Sequence, residues 1–183
     1  MYIPSSGTQA ANTRQNVVLY LSSTKGEEAP IYDFQGREIV YAPQFDNSGR
    51  YAWKNEVPDW LLNWAIEAQQ AEDNSRWSLF GFSRGACWGA AMASDVRLRF
   101  HRVVLVAPYV LPRWGEQQTR KLCARLPQYG NNLYIAFGSR DPWPPCTVIE
   151  FLQRTSRSEV FEGLNHEESL GACVQALWSG LCF

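Results

Sequence analysis

The sequence predicts a single α/β domain, a three-layer α/β/α sandwich around a mainly parallel sheet of about six strands. Three observations predict it. Short apolar runs alternate with helix-period segments almost throughout, as successive β-α-β units do. The strongest runs, NVVLYL at 16–21 and RVVLVA at 102–107, are apolar without alternation, which marks strands covered on both faces. Finally, 183 residues suffice for one sizeable core and not for two, and no repeat, linker or low-complexity tract divides the chain.

The elements follow in order. Residues 1–15 read as irregular, and 16–21 as the first strand. The run REIVY at 37–41 is a shorter strand, stopped by Ala42-Pro43. Leu61, Trp64, Ala65 and Ala68 recur at i, i+3, i+4 and i+7, with Glu67, Gln69 and Gln70 on the opposite face, so a helix is expected there. Pro58 lies near its start, where proline is tolerated. RWSLF at 76–80 is the third strand and runs directly into Gly81. The segment 84–94 is rich in small residues (Ala86, Gly89, Ala90, Ala91, Ala93), so a helix there can lie close against a sheet. The fourth strand, 102–107, ends at Pro108. A helix is expected over about 116–126, then a fifth strand over 132–137. Val148, Phe151 and Leu152 mark a short helix, and 158–161 a weak sixth strand. Leu170, Cys173, Val174, Leu177, Trp178 and Leu181 form the stripe of a last helix.

Composition narrows the function. Hydrophobic residues make up 45% and charged ones 19%, as in ordinary globular proteins. A formal net charge of −1 supplies no field that would favour nucleic acid. No apolar run approaches the roughly 20 residues of a membrane span. The polar N-terminus has neither an apolar nor a basic signal region, so a cytoplasmic location is expected. The five cysteines are scattered, with no CxxC pair and no zinc-like spacing, and read as reduced thiols. No metal and no organic cofactor is indicated. Most of the eight tryptophans are read as core or groove-lining.

The chemistry centres on Gly81-Phe82-Ser83-Arg84-Gly85, a G-x-S-x-G run where a strand gives way to a helix. Such a turn holds the serine in a strained conformation and presents its hydroxyl at the C-terminal edge of the sheet, where ligands bind in folds of this type. A serine hydroxyl needs a base to become a nucleophile. Of the two histidines, His101 begins the fourth strand, at the edge opposite Ser83, and reads as an ordinary surface residue. His166, in Gly163-Leu164-Asn165-His166, follows the sixth strand at the correct edge. Its plainer reading is a helix-capping or surface imidazole. Asp141, in Gly138-Ser139-Arg140-Asp141-Pro142, follows the fifth strand at that same edge. By itself it reads equally as an Asp-Pro turn initiator or as the carboxylate that orients a histidine.

With GFSRG at 81–85, GSRDPWPP at 138–145 and GLNH at 163–166, the chain resembles the α/β-hydrolase superfamily in element order from about residue 16 onward. The resemblance implies a nucleophile at Ser83, an acid at Asp141 and a base at His166, in the chain order of that fold. The usual leading hairpin is missing, so a trimmed version of the fold with about six parallel strands is expected. One oxyanion donor should be the backbone N–H of Arg84. The other should come from the loop after the first strand, where no His-Gly-Gly motif stands. Ser22 and Ser23 take the role by position only, and loss of one such donor costs about 2.7–4 kcal/mol of barrier.

Only 109–130 separates the fourth strand from the fifth, too little for a cap domain, so an open site is expected. Phe45, Trp88 and Trp143 are candidates to bind substrate along its border, with Trp114 a further aromatic there. Such a groove suits an uncharged acyl ester or thioester. An acyltransferase using the same three residues, and a catalytically idle scaffold of the same fold, stand as alternatives. Nothing in the sequence sets an oligomeric state.

Overall fold

The computed structural model describes residues 16–21, 38–42, 57–72, 74–108, 125–142 and 157–176. Six strands form one sheet: β1 (Asn16–Leu21), β2 (Glu38–Tyr41), β3 (Arg76–Phe82), β4 (Arg102–Val106), β5 (Leu133–Gly138) and β6 (Arg157–Phe161). Their order across the sheet is β2-β1-β3-β4-β5-β6 and every adjacent pair is parallel. Among the described residues the helices are α1 (Asp59–Ala71), α2 (Arg84–Ala93) and α3 (Glu168–Ala176), with a 3-10 helix at Leu126–Asn132.

Alternate residues of each strand face opposite ways, so the apolar runs feed two cores. Val17, Leu19, Leu21, Leu79, Val103, Leu105 and Ile135 face α1 and α2. Val18, Tyr20, Phe80, Phe82, Val104, Val106 and Ala136 face Leu170, Cys173 and Val174 of α3. That is the expected three-layer sandwich. Leu61, Ala65 and Ala68 are the buried residues of α1, whereas Trp64 is only half-buried at the margin of the core.

The small residues of α2 do what their size allows. A Cβ added at Gly89 would lie 2.6 Å from a methyl of Leu79, so this helix already touches the sheet. Two boundaries differ from expectation. β3 runs on through Gly81 and Phe82, which pair with Leu105 and Val106, so the chain turns at Ser83 itself. Leu126 does not close an α-helix but opens the 3-10 helix, with a proline in its first turn. Pro127 has no N–H to extend a helix arriving from upstream, yet is tolerated at the start of one. The body of the expected helix at 116–126, the short helix at 148–152, and Leu177, Trp178 and Leu181 lie outside the described residues.

The chain moves from β1 to one side for β2, then returns past β1 to β3 and continues the other way. The strand order reverses there, which opens a crevice at the carboxyl ends of β1 and β3.

Candidate active site

Ser83 is the turn between β3 and α2. Its φ of 54° with ψ of −118° is a conformation that non-glycine residues rarely adopt. Three backbone bonds hold it. The Ser83 N–H donates to Val106 O at 2.8 Å, and Ser83 O accepts from the N–H groups of Ala86 (3.1 Å) and Cys87 (3.3 Å). Gly81 makes the turn possible, because a Cβ there would lie 2.5 Å from Gly85 O and 2.7 Å from the Ala86 Cα.

His166 lies in the loop between β6 and α3. Asn165 caps that helix: its Oδ1 accepts from the N–H groups of Glu167 and Glu168, both at 3.0 Å, while its own N–H donates to the Glu168 carboxylate at 2.9 Å. This is a reciprocal capping box, and it fixes the backbone that carries the imidazole. Asp141 ends a tight turn after β5, its N–H donating to Gly138 O at 3.1 Å.

These three loops bring the side chains together. His166 Nδ1 lies 2.7 Å from Asp141 Oδ2, and His166 Nε2 lies 2.8 Å from Ser83 Oγ. An ionised carboxylate can only accept, so Nδ1 carries the proton and Nε2 offers its lone pair to the Ser83 hydroxyl. The Asp141 side chain is 4% exposed and that of His166 17%, so the carboxylate is sheltered while the imidazole keeps one edge open. The Phe82 ring packs 5.1 Å from the imidazole, tilted by 39°.

The other expected site residues divide. Arg84 opens α2, and an N–H at the first helical position has no acceptor within its own helix, so it is available to a ligand oxygen. Ser22 and Ser23 lie outside the described residues. Leu21, just before them, pairs with Gly81, so the chain leaves β1 at the same edge as the Ser83 turn. Phe45, Trp143 and Trp114 also lie outside the described residues. Trp88 does not border a groove. It is 1% exposed, in the core shared with Leu61 and Leu105, so it serves as packing.

His101 lies at the far edge, its N–H bonded to Trp77 O at 2.7 Å and its ring beside the Arg76 guanidinium. Burial pushes its pKa below the ordinary histidine value, and the charges of Arg76 and Arg102 push the same way. Sequence reasoning missed the capping box, although Asn165-His166-Glu167-Glu168 carries its N-x-x-E signal.

Residues 5–175 match the sequence model of the family described as "Putative esterase". Among solved structures, an uncharacterized protein from Bacillus cereus superposes with a TM-score of 0.65 at 13% identity, over 97% of this chain and 64% of that one. This chain thus spans less than two thirds of that protein. Est1E from Butyrivibrio proteoclasticus, with ferulic acid bound, gives 0.65 at 11% identity, over 92% of this chain and 88% of that one. A peroxisomal α/β-hydrolase from Saccharomyces cerevisiae gives 0.60 at 12% identity, over 93% and 77%. At such identities the likeness speaks for the fold. No curated protein matches the chain.

Proposed function

The chain belongs to the esterase family, within the α/β-hydrolase superfamily, and from that premise we propose that it cleaves a carboxylic ester or thioester through Ser83, His166 and Asp141. The observation that carries this reading is the unbroken hydrogen-bonded chain from Asp141 through both ring nitrogens of His166 to Ser83 Oγ, at 2.7 and 2.8 Å. In the first step Ser83 Oγ attacks the acyl carbon and its proton passes to His166 Nε2. Asp141 holds the resulting imidazolium through Nδ1–H. The Arg84 N–H, at the positive end of α2, meets the oxyanion. Collapse of the tetrahedral intermediate returns the proton to the leaving oxygen or sulfur. Water, activated by the same imidazole, then releases the acid from Ser83.

The ferulic acid on the Butyrivibrio neighbour is an aromatic carboxylic acid, the kind of product that ester cleavage leaves. It makes an uncharged, aromatic acyl group the first substrate class to test.

A serine-directed fluorophosphonate should label the folded protein, and the label should vanish in Ser83→Ala. In an ester and thioester panel graded by acyl length, His166→Gln should cut turnover by several orders of magnitude and His101→Gln should leave it within about twofold. Folded protein that takes no label would favour an idle scaffold, and equal losses in the two histidine variants would remove His166 as the base.

A further inference from the structure

We propose that Ser139 is a positioning residue that latches the Asp141 loop to the His166 loop, and so holds the carboxylate on the imidazole; this rests on the reading of the site given above. Two tight turns lie back to back at the ends of β5 and β6. One runs from Gly138 to Asp141, closed by the Asp141 N–H on Gly138 O at 3.1 Å, and the other runs from Phe161 to Leu164, where Gly163 takes a φ of 76°. Asp141 ends the first turn, and His166 lies two residues beyond the second.

Three bonds join the turns. The Ser139 N–H donates to Phe161 O at 3.0 Å and the Arg140 N–H to Leu164 O at 2.9 Å. The Gly163 N–H donates to Ser139 Oγ at 2.9 Å. The turns also press together, since a Cβ on Gly138 would fall 2.5 Å from Ser169 Oγ and would collide with Leu164 O.

Of the three bonds, two are backbone to backbone, and only the third uses a side chain. Ser139 is exposed and contributes no core packing, so its hydroxyl can be removed without opening a cavity. Without that acceptor the Gly163 N–H loses its partner, and the turn just before His166 keeps only the two backbone bonds to the turn that carries Asp141. A shift of about 1 Å in a reacting group costs on the order of a hundredfold in rate. A slackened loop that keeps two of its three ties should cost about tenfold.

The test uses the full chain, with Ser139→Ala and Ser139→Thr made alone and in an Asp141→Asn background. For an activated ester, Ser139→Ala should lower kcat about tenfold with KM within twofold, and Ser139→Thr, which keeps the hydroxyl, should restore it. In the Asp141→Asn background the same change should cost less than twofold, because there is no carboxylate left to position. The low-field proton resonance of the His166 Nδ1–H should broaden or weaken in Ser139→Ala and persist in Ser139→Thr. An equal rate loss in both backgrounds would overturn the proposal, since a merely structural role would be additive. So would an unaltered kcat together with an unaltered resonance. If the wild-type chain cleaves no ester, the catalytic reading fails, and the resonance alone still decides whether Ser139 positions the pair.

Discussion

Replacing Ser83 with glycine, and in parallel with alanine, separates the chemistry of the hydroxyl from the strain of the backbone. Both variants lose Oγ and its bond to His166 Nε2, so that loss cancels between them. What differs is the Cβ at a φ of 54° and ψ of −118°. Gly130 adopts nearly the same conformation, φ 50° and ψ −123°, which shows what residue this backbone prefers. A side chain held there stores about 1–3 kcal/mol. Glycine gives back part of the gain, about 0.4–1 kcal/mol, by making the unfolded chain more flexible. At the middle of each range, the glycine variant should therefore be more stable than the alanine variant by about 1.3 kcal/mol. For a chain of this length that is roughly 3–5 °C in Tm. Thermal and urea unfolding of the two variants side by side measure it. If Ser83→Gly melts at or below Ser83→Ala, the serine is not strained and the argument for a preorganised nucleophile fails.

Three further outcomes are expected. Gly81→Ala should be among the worst substitutions at the site, because the new Cβ would meet the backbone of Gly85 and Ala86 at 2.5–2.8 Å. A loss of about 1–3 kcal/mol in unfolding and about a hundredfold in turnover of the folded fraction should follow. Asp141→Asn should lower kcat by up to about 10⁴, the loss recorded for a triad protease when the imidazole takes the wrong tautomer; an unchanged rate would mean that Asp141 is only a turn residue. His101 gives a pH signature in stability alone. Its pKa is depressed on folding, so the unfolded chain binds the proton more readily. Its contribution is complete above the ordinary histidine value of about 6.5 and is lost as the pH falls through that region. Chemical denaturation across that range should show a shallower acid decline for His101→Gln than for the wild type.

The sheet was legible because its strands carry continuous apolar runs. The runs at 16–21 and 102–107 match β1 and β4 to within a residue, since burial on both faces leaves no alternation to mistake. Ser83, Asp141 and His166 were legible as positions because each follows a strand at the carboxyl edge, where the parallel arrangement gathers loops. Trp88, expected at the border of the site, lies in the core instead. Eight of the ten residues of α2 are buried, Trp88 among them, so this helix has almost no exposed face on which an aromatic could border a groove. The ties between the Asp141 and His166 loops left no trace in sequence. They are made almost wholly by backbone groups of segments more than twenty residues apart, and backbone groups have no residue type to read.

The same sheet order explains why the imidazole must come from the far end of the chain. Ser83 tops β3 and Asp141 follows β5, with β4 between them. Two strand spacings are roughly 9.5 Å, too far for a serine hydroxyl and a carboxylate to touch. An imidazole reaching both over the end of β4 closes that gap, provided β4 itself does not rise into it. The chain bends at once after β4: Ala107 takes a φ of 45°, its N–H turns to Ala136 O at 2.6 Å, and Pro108 follows. Val106 O, at the last position of β4, accepts the Ser83 N–H. One strand end thus both makes room for the base and anchors the strained serine. Ala107 has no chemistry of its own: its methyl packs in the core while its backbone makes the bend.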